Sequence, residues 1–248
     1  IPPYRLLLLD DVLTDKQRLQ IEVIVDRLAK KEPIQYIWGE ITFCGLPFHV
    51  SRDVLIPRPE TEQLVRLIVN DFSSCPSPRI LDIGTGSGCI AISLASLLPA
   101  SRVTALDISS SALRVAADNA TLNHVSVSWT CVDILSSEAE SYLEQYDCMV
   151  SNPPYIMEHE QLEMDVSVLD YEPHKALFVP DTDPLLFYRR IVQLAKSHLM
   201  ADGWLYFEIN EQCGDAMLEL LNSAGFSQTT IIKDYFGKDR MLRAQLVL

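Results

Sequence analysis

The stretch Ile80-Leu81-Asp82-Ile83-Gly84-Thr85-Gly86-Ser87-Gly88 decides how the chain is read. Its apolar first half predicts a short buried strand. Its second half alternates three glycines with small polar residues, and a helical pattern starts at once. Glycines permit positive φ and let a ligand approach the backbone closely. A ligand held there lies at the carboxyl end of the strand. A dinucleotide turn needs G-x-G-x-x-G, and counting from Gly84 the last position is Cys89, so that pattern fails. A purely structural tight turn is the bland alternative.

Outward from this stretch, strands and helices alternate. Strands are predicted at Arg79–Ile83, Arg102–Leu106, Val125–Val132, Tyr146–Ser151 and Gly203–Ile209. Helices are predicted at Gly88–Leu98, Ser109–Leu122, Pro184–Leu199 and Gln212–Ala224. Phe226–Lys233 and Met241–Leu248 follow with no helix between them. The pattern predicts an α/β sheet, mostly parallel, closing with an antiparallel pair. Upstream, Thr14 and Gln17 form a capping box for a helix whose apolar stripe is Leu19, Val23, Ile24 and Leu28. Pro33 stops it. Gln35 to Val50 reads as hairpin-like with Cys44-Gly45 as its turn. Ile56-Pro57-Arg58-Pro59 is a stiff, extended loop. A helix from about Glu60 to Phe72 comes next. Ser73 to Pro78 is a Ser/Pro linker and the expected domain boundary.

Composition excludes several classes. The chain has 248 residues, 48% of them hydrophobic and 22% charged, an ordinary globular balance. No apolar run reaches the ~18 residues needed to span a bilayer. The net charge of −14 argues against broad phosphate-backbone binding. The six cysteines form no CxxC pair and are read as reduced, and the five histidines show no metal spacing. No metal site is expected. Between Tyr155 and Asp183 lie eight acids and one lysine, either a solvated loop or a surface that attracts a basic protein.

Four positions after strands carry the chemistry. D-x-G-x-G-x-G over Asp82–Gly88 resembles the first motif of class I S-adenosylmethionine (SAM) methyltransferases. Asp107 closes the second strand, where an acid can accept both ribose hydroxyls or merely cap the next helix. Asp133 can accept from an adenine amino group, and Ile134 can cover a ring face; a helix start at Asp133 is the alternative. Asn152-Pro153-Pro154-Tyr155 is the most specific. Its prolines freeze the backbone. The Asn152 side-chain oxygen and the Pro153 carbonyl can then accept both hydrogens of a planar NH₂ group, with Tyr155 packed beside it. A Pro-rich turn with Asx capping is the bland reading. A sulfonium methyl is already activated, so no triad or metal is needed.

In combination these stretches resemble the HemK/PrmC family, methyltransferases that modify the glutamine amide nitrogen of peptide release factors. Gln35-Tyr36-Ile37-Trp38-Gly39-Glu40 resembles its QYxxGE, and Ile56 to Glu62 its IPRP[DE]TE. Tyr171-Glu172-Pro173 with Ala176-Leu177 resembles its xEPxxAL stretch, and Gly237-Lys238-Asp239-Arg240 a loop ending in Arg. The resemblance implies a class I SAM-dependent methyltransferase fold, Rossmann-like, with seven strands and an antiparallel last strand. It adds a small N-terminal helical segment and a β-hairpin. SAM contacts fall on Gly84, Thr85, Gly86, Ser87, Gly88, Asp107, Asp133, Ile134 and Asn152. Substrate contacts fall on Asn152, Pro153, Pro154 and Tyr155, the first, second and fourth being catalytic. An aliphatic residue stands at 134, where the family often has an aromatic.

The implied reaction is N5-methylation of the glutamine in the Gly-Gly-Gln motif of a class I release factor, with S-adenosylhomocysteine as product. The alternatives are an adenine-N6 amino-methyltransferase on nucleic acid and a non-catalytic SAM-binding scaffold. The expected division is 1–34 as the remnant of an N-terminal helical substrate-binding domain, 35–72 as hairpin and linker, and 73–248 as the methyltransferase domain. The expected partner is the release factor, with no direct nucleic acid and no membrane, and the chain as a monomer. The QYxxGE segment implies the bacterial or organellar branch. Ser73-Ser74, Ser109 to Ser111 and the missing initiator Met point to the mitochondrial matrix, with the bacterial cytoplasm as the alternative.

Overall fold

The computed structural model describes residues 14–247. The first thirteen residues of the expected N-terminal remnant, and Leu248 of the last expected strand, lie outside the described residues.

Seven strands form the central sheet. They are β3 (Arg79–Ile83), β4 (Arg102–Asp107), β5 (Ser128–Cys131), β6 (Tyr146–Ser151), β9 (Leu199–Glu208), β10 (Phe226–Lys233) and β11 (Asp239–Leu246). Their order is β10-β11-β9-β6-β3-β4-β5. β4 pairs parallel with β3 and β5, and β6 parallel with β3 and β9. β11 is inserted antiparallel between β9 and β10. The chain runs outward from β3 to β5, then returns to lay β6 on the other side of β3. That reversal opens a crevice at the carboxyl ends of the strands.

Side chains of a strand alternate between faces. Leu81 and Ile83 enter one apolar layer with Tyr188, Ile191 and Phe207. Ile80 enters the other with Leu64, Ile68, Ile92 and Tyr206. Both faces are covered, so β3 reads as a continuous apolar run rather than an alternating one. The helix α3 (Pro59–Phe72) begins with Pro59 at its first position, carries Glu60 and Glu62 in its first turn, and buries Leu64, Val65, Ile68 and Phe72. Phe43 and Phe48 of the hairpin join the same layer. Hairpin, helix and sheet thus share one core across Ser73–Pro78.

The upstream elements depart from expectation in two places. The first helix, α1 (Asp15–Ala29), has the expected Thr14–Gln17 capping box, yet none of its residues is buried. Leu19 is 63% and Val23 54% exposed. Periodicity names an apolar face; burial needs a partner surface, and among the described residues the helix meets only the following turn, where Arg27 donates to the Tyr36 and Ile37 carbonyls. The other departure is Ile34–Trp38, which forms a helical turn, α2, rather than the start of a hairpin. Gly39, at φ 77°, closes that turn in the left-handed conformation. The hairpin is only β1 (Glu40–Phe43) and β2 (Leu46–His49), turning as expected on Cys44-Gly45. β5 also starts later than expected, at Ser128.

Between β6 and β9 lie two short parallel strands, β7 (Ile156–Met157) and β8 (Phe178–Val179), and several short helical turns. Many acids of this stretch are engaged internally. Asp181 pairs with His159, Asp183 with Arg189, and Glu160 accepts from the Met157 N–H and Asn210. No described helix is long and apolar enough to cross a membrane.

Candidate active site

The glycine turn leaves β3 and is tied to its neighbour. The Gly84 and Thr85 N–H groups donate to the Leu106 carbonyl at 2.8 and 2.9 Å. The Thr85 hydroxyl turns inward and donates to Asp82 Oδ2 at 2.6 Å, and the Ala91 N–H adds a second bond at 3.2 Å. Asp82 is wholly buried, and burial pushes its pKa up to about 7, because taking a carboxylate out of water favours the neutral form.

The three glycines do two different jobs. Gly84 and Gly86 have φ of 74° and 55°, and a Cβ added to either would meet nothing within 4 Å. Both line an open cradle. Gly88, at φ 81°, lies in the core, where a Cβ would come 2.8 Å from Ile92 Cδ1 and 3.1 Å from Ala116 Cβ. It lets the helix α4 (Cys89–Leu97) and the helix α5 (Ser110–Leu122) approach. Thr85 and Ser87 are buried away from the cradle.

That cradle is one wall of a cleft of about 490 Å³ at the carboxyl ends of β3 to β6. Asp107, Asp133 and Ile134 line it, as do Asn152, Pro153 and Pro154. Asp107 accepts from the Gly86 N–H through Oδ2 and from the Ser109 N–H through Oδ1, both at 2.8 Å. Burial raises its pKa, and these backbone bonds offset that only in part. Each carboxylate oxygen keeps further acceptor capacity toward the cleft. Asp133 caps its own turn, accepting from the Leu135 N–H at 2.9 Å. Arg190 clamps the Ile134 and Ser136 carbonyls at 3.0 Å, holding this wall.

Asn152 and its neighbours arrive from β6. The Asn152 Nδ2 donates to the Thr61 hydroxyl at 3.4 Å. Among the described residues neither Asn152 Oδ1 nor the Pro153 carbonyl accepts a hydrogen bond. Tyr155 does not line the cleft. Its ring packs on the core, and its hydroxyl donates to Glu208 Oε1 at 3.1 Å. The structure therefore gathers Gly84, Gly86, Asp107, Asp133, Ile134 and Asn152 to Pro154 around one cleft. It places Thr85, Ser87, Gly88 and Tyr155 behind the wall.

Sequence reasoning missed several residues. Thr61 and Glu208 are buried beside Asn152. Glu208 ends an apolar strand as Asp107 does, which was the available signal. The xEPxxAL stretch supplies a further wall, with Pro173 and Ala176 on the cleft. Buried Glu172 anchors it, accepting from Arg58 at 2.6 Å and from the Ile56 N–H at 3.2 Å. The IPRPETE loop is thereby bound both to this wall and, through Thr61, to Asn152.

The methyltransferase small domain family matches residues 60–170, which span the glycine turn, Asp107 and the Asn152 loop. A release factor glutamine methyltransferase from Flavobacterium psychrophilum is 49% identical, covering 93% of this chain and 81% of its own length. The chain belongs to the release factor glutamine methyltransferase family. A member from Bacteroides thetaiotaomicron is 48% identical over 95% of this chain and 84% of its own. Among solved structures, a methyltransferase from Pyrococcus furiosus superposes with a TM-score of 0.59 at 18% identity, covering 90% of this chain and 98% of that one. That likeness shows the class I SAM-dependent methyltransferase fold. Both relatives of this family are bacterial and lend no support to a mitochondrial placement.

Proposed function

We infer that the chain moves the methyl group of SAM to the side-chain nitrogen of a glutamine in a peptide chain release factor. The observation that carries this is the shared cleft. A glycine cradle and a ribose-side acid occupy one wall, and Asn152–Pro153, with two unengaged acceptors, stands on another.

The residues fit the cofactor. The open space over Gly84 and Gly86 admits its backbone-hugging part. Asp107 would accept the ribose hydroxyls, Asp133 the adenine amino group, and Ile134 would cover a ring face. SAM supplies a methyl already activated by its sulfonium.

A glutamine amide is a poor nucleophile because its lone pair is delocalised. Asn152 Oδ1 and the Pro153 carbonyl would hold its two hydrogens, aiming the nitrogen and favouring positive charge developing on it. One N–H bond is replaced by N–CH₃, the C–S bond breaks toward sulfur, and the proton passes to solvent.

The glutamine is that of a Gly-Gly-Gln loop, as the family resemblance implies, and residues 14–34 help grip the protein substrate. The compartment in this reading is the bacterial cytoplasm. The test is methyl transfer from labelled SAM to a purified release factor and to its Gln→Ala form. Label confined to the glutamine-bearing protein is expected. Equal label in both forms, or label on nucleic acid instead, would contradict the reading.

A further inference from the structure

The hydrogen bonds behind Asn152 run with one polarity. Glu208, 1% exposed at the end of β9, accepts from the Thr61 hydroxyl through Oε2 at 2.6 Å. Its Oε1 accepts from the Tyr155 hydroxyl at 3.1 Å. Both Glu208 oxygens thus act as acceptors, and a hydroxyl has one proton to give. Thr61 spends that proton on Glu208, so it meets Asn152 only as an acceptor. The Asn152 carboxamide must therefore turn its NH₂ toward Thr61, and Nδ2 lies 3.4 Å away. The end left for the cleft is Oδ1.

That choice matters because an amide flipped about its last torsion has nearly the same shape but opposite hydrogen-bonding character. A glutamine side-chain nitrogen presents two donors. A flipped Asn152 would oppose donors to donors and repel the group it must hold.

We infer that Thr61 and Glu208 are positioning residues that set which end of the Asn152 amide faces the substrate nitrogen. This rests on the methyl-transfer reading above. Thr61 is only 2% exposed and Glu208 1%, so water is not on hand to supply the polarity instead. Burial raises the Glu208 carboxyl above its ordinary range, and the two hydroxyls and the charge of Arg240 offset that only in part. Tyr155 belongs to the same device, because its hydroxyl occupies the oxygen that Thr61 does not use.

The test uses the intact chain and an intact release factor. Thr61→Val keeps the shape of Thr61 and removes its polarity. Glu208→Gln keeps the shape of Glu208 and adds a donor that can reverse the run. Each should lower kcat by about 10- to 100-fold, the scale of a lost hydrogen bond to a charged group. SAM affinity should change by less than about threefold, while Tm falls modestly with the lost buried hydrogen bond, so kcat is read per folded molecule. Thr61→Ser, which retains the hydroxyl, should recover kcat to within about threefold. A plain structural strut would lower Tm and leave kcat per folded molecule alone. Wild-type kcat in Thr61→Val, or no rescue by Thr61→Ser, overturns the inference.

A second readout does not need turnover. The Asn152 side-chain amide protons, followed by nitrogen-15 NMR, should exchange more slowly in the wild type than in Thr61→Val. Equal exchange overturns the inference. If the wild type transfers no methyl to the release factor, the functional reading fails, and this exchange result alone decides the positioning role.

Discussion

The two halves of the cleft are built in opposite ways. The cofactor half is assembled from neighbours in sequence: Thr85 bonds Asp82 three residues away, and Gly86 bonds Asp107 across 21 residues. The amide-orienting half is assembled across the chain: Asn152 meets Thr61 across 91 residues, and Thr61 meets Glu208 across 147. A local half can be written as a motif. A long-range half depends on the whole fold, and it is where selectivity for one amide can be built. The contrast predicts that the halves separate under mutation, one controlling SAM affinity and the other the transfer rate.

The largest effect should come from Asn152→Ala. Turnover at saturating SAM should fall by about 10²- to 10³-fold, the scale of a lost preorganised acceptor in a water-poor site. Turnover near wild type would break the contrast at once. Asp107→Asn should weaken SAM binding by about 10- to 100-fold while the rate at saturating SAM stays close to wild type. Calorimetric titration checks this.

The glycines sharpen the comparison within the cofactor half. Gly86→Ala meets no atom but places a side chain in the left-handed region, a cost of about 1–2 kcal/mol, and narrows the cradle. It should weaken SAM binding about tenfold. Gly88→Ala carries the same left-handed cost and also meets Ile92 and Ala116, so it should lower Tm further by overpacking, on the order of 1–3 kcal/mol more, with a smaller change in affinity.

A separate effect concerns pH. The folded pKa of Asp82, about 7, lies above its ordinary 3.8, so the fold favours the protonated form. That contribution is complete below the ordinary value and is lost as pH rises through about 7. Wild-type Tm should therefore decline between about pH 5 and pH 8, and Asp82→Asn, a neutral mimic, should decline less. Parallel declines would remove Asp82 as the cause.

The same local and long-range division explains what could be read without coordinates. β3, β4 and β6 are short, mainly apolar runs followed by glycine, acid or an Asn-Pro turn, and each lies where its pattern placed it. The Thr14–Gln17 cap and the Cys44-Gly45 turn are also local, and both are present. The helical turn at Ile34–Trp38 was missed because five residues carry too little periodicity to distinguish a helix from a strand. The stripe of α1 was legible as a helical pattern, but its exposure was not, because a pattern says nothing of a partner. Gly84 and Gly88 look alike in a motif, and only the packing around α4 and α5 tells cradle from core. Tyr155 sits beside Asn152 in sequence, yet its ring faces the core and its hydroxyl turns to Glu208. No spacing rule connects Thr61 to Glu208, since the sheet order alone brings them together.

The central claim is that binding and transfer reside in separable halves of one cleft. The most direct test measures the SAM dissociation constant and the single-turnover methyl-transfer rate side by side in Asp107→Asn and Asn152→Ala. The account predicts that affinity moves only in Asp107→Asn and that the rate at saturating SAM moves only in Asn152→Ala. Matching losses of both quantities in both variants would contradict it.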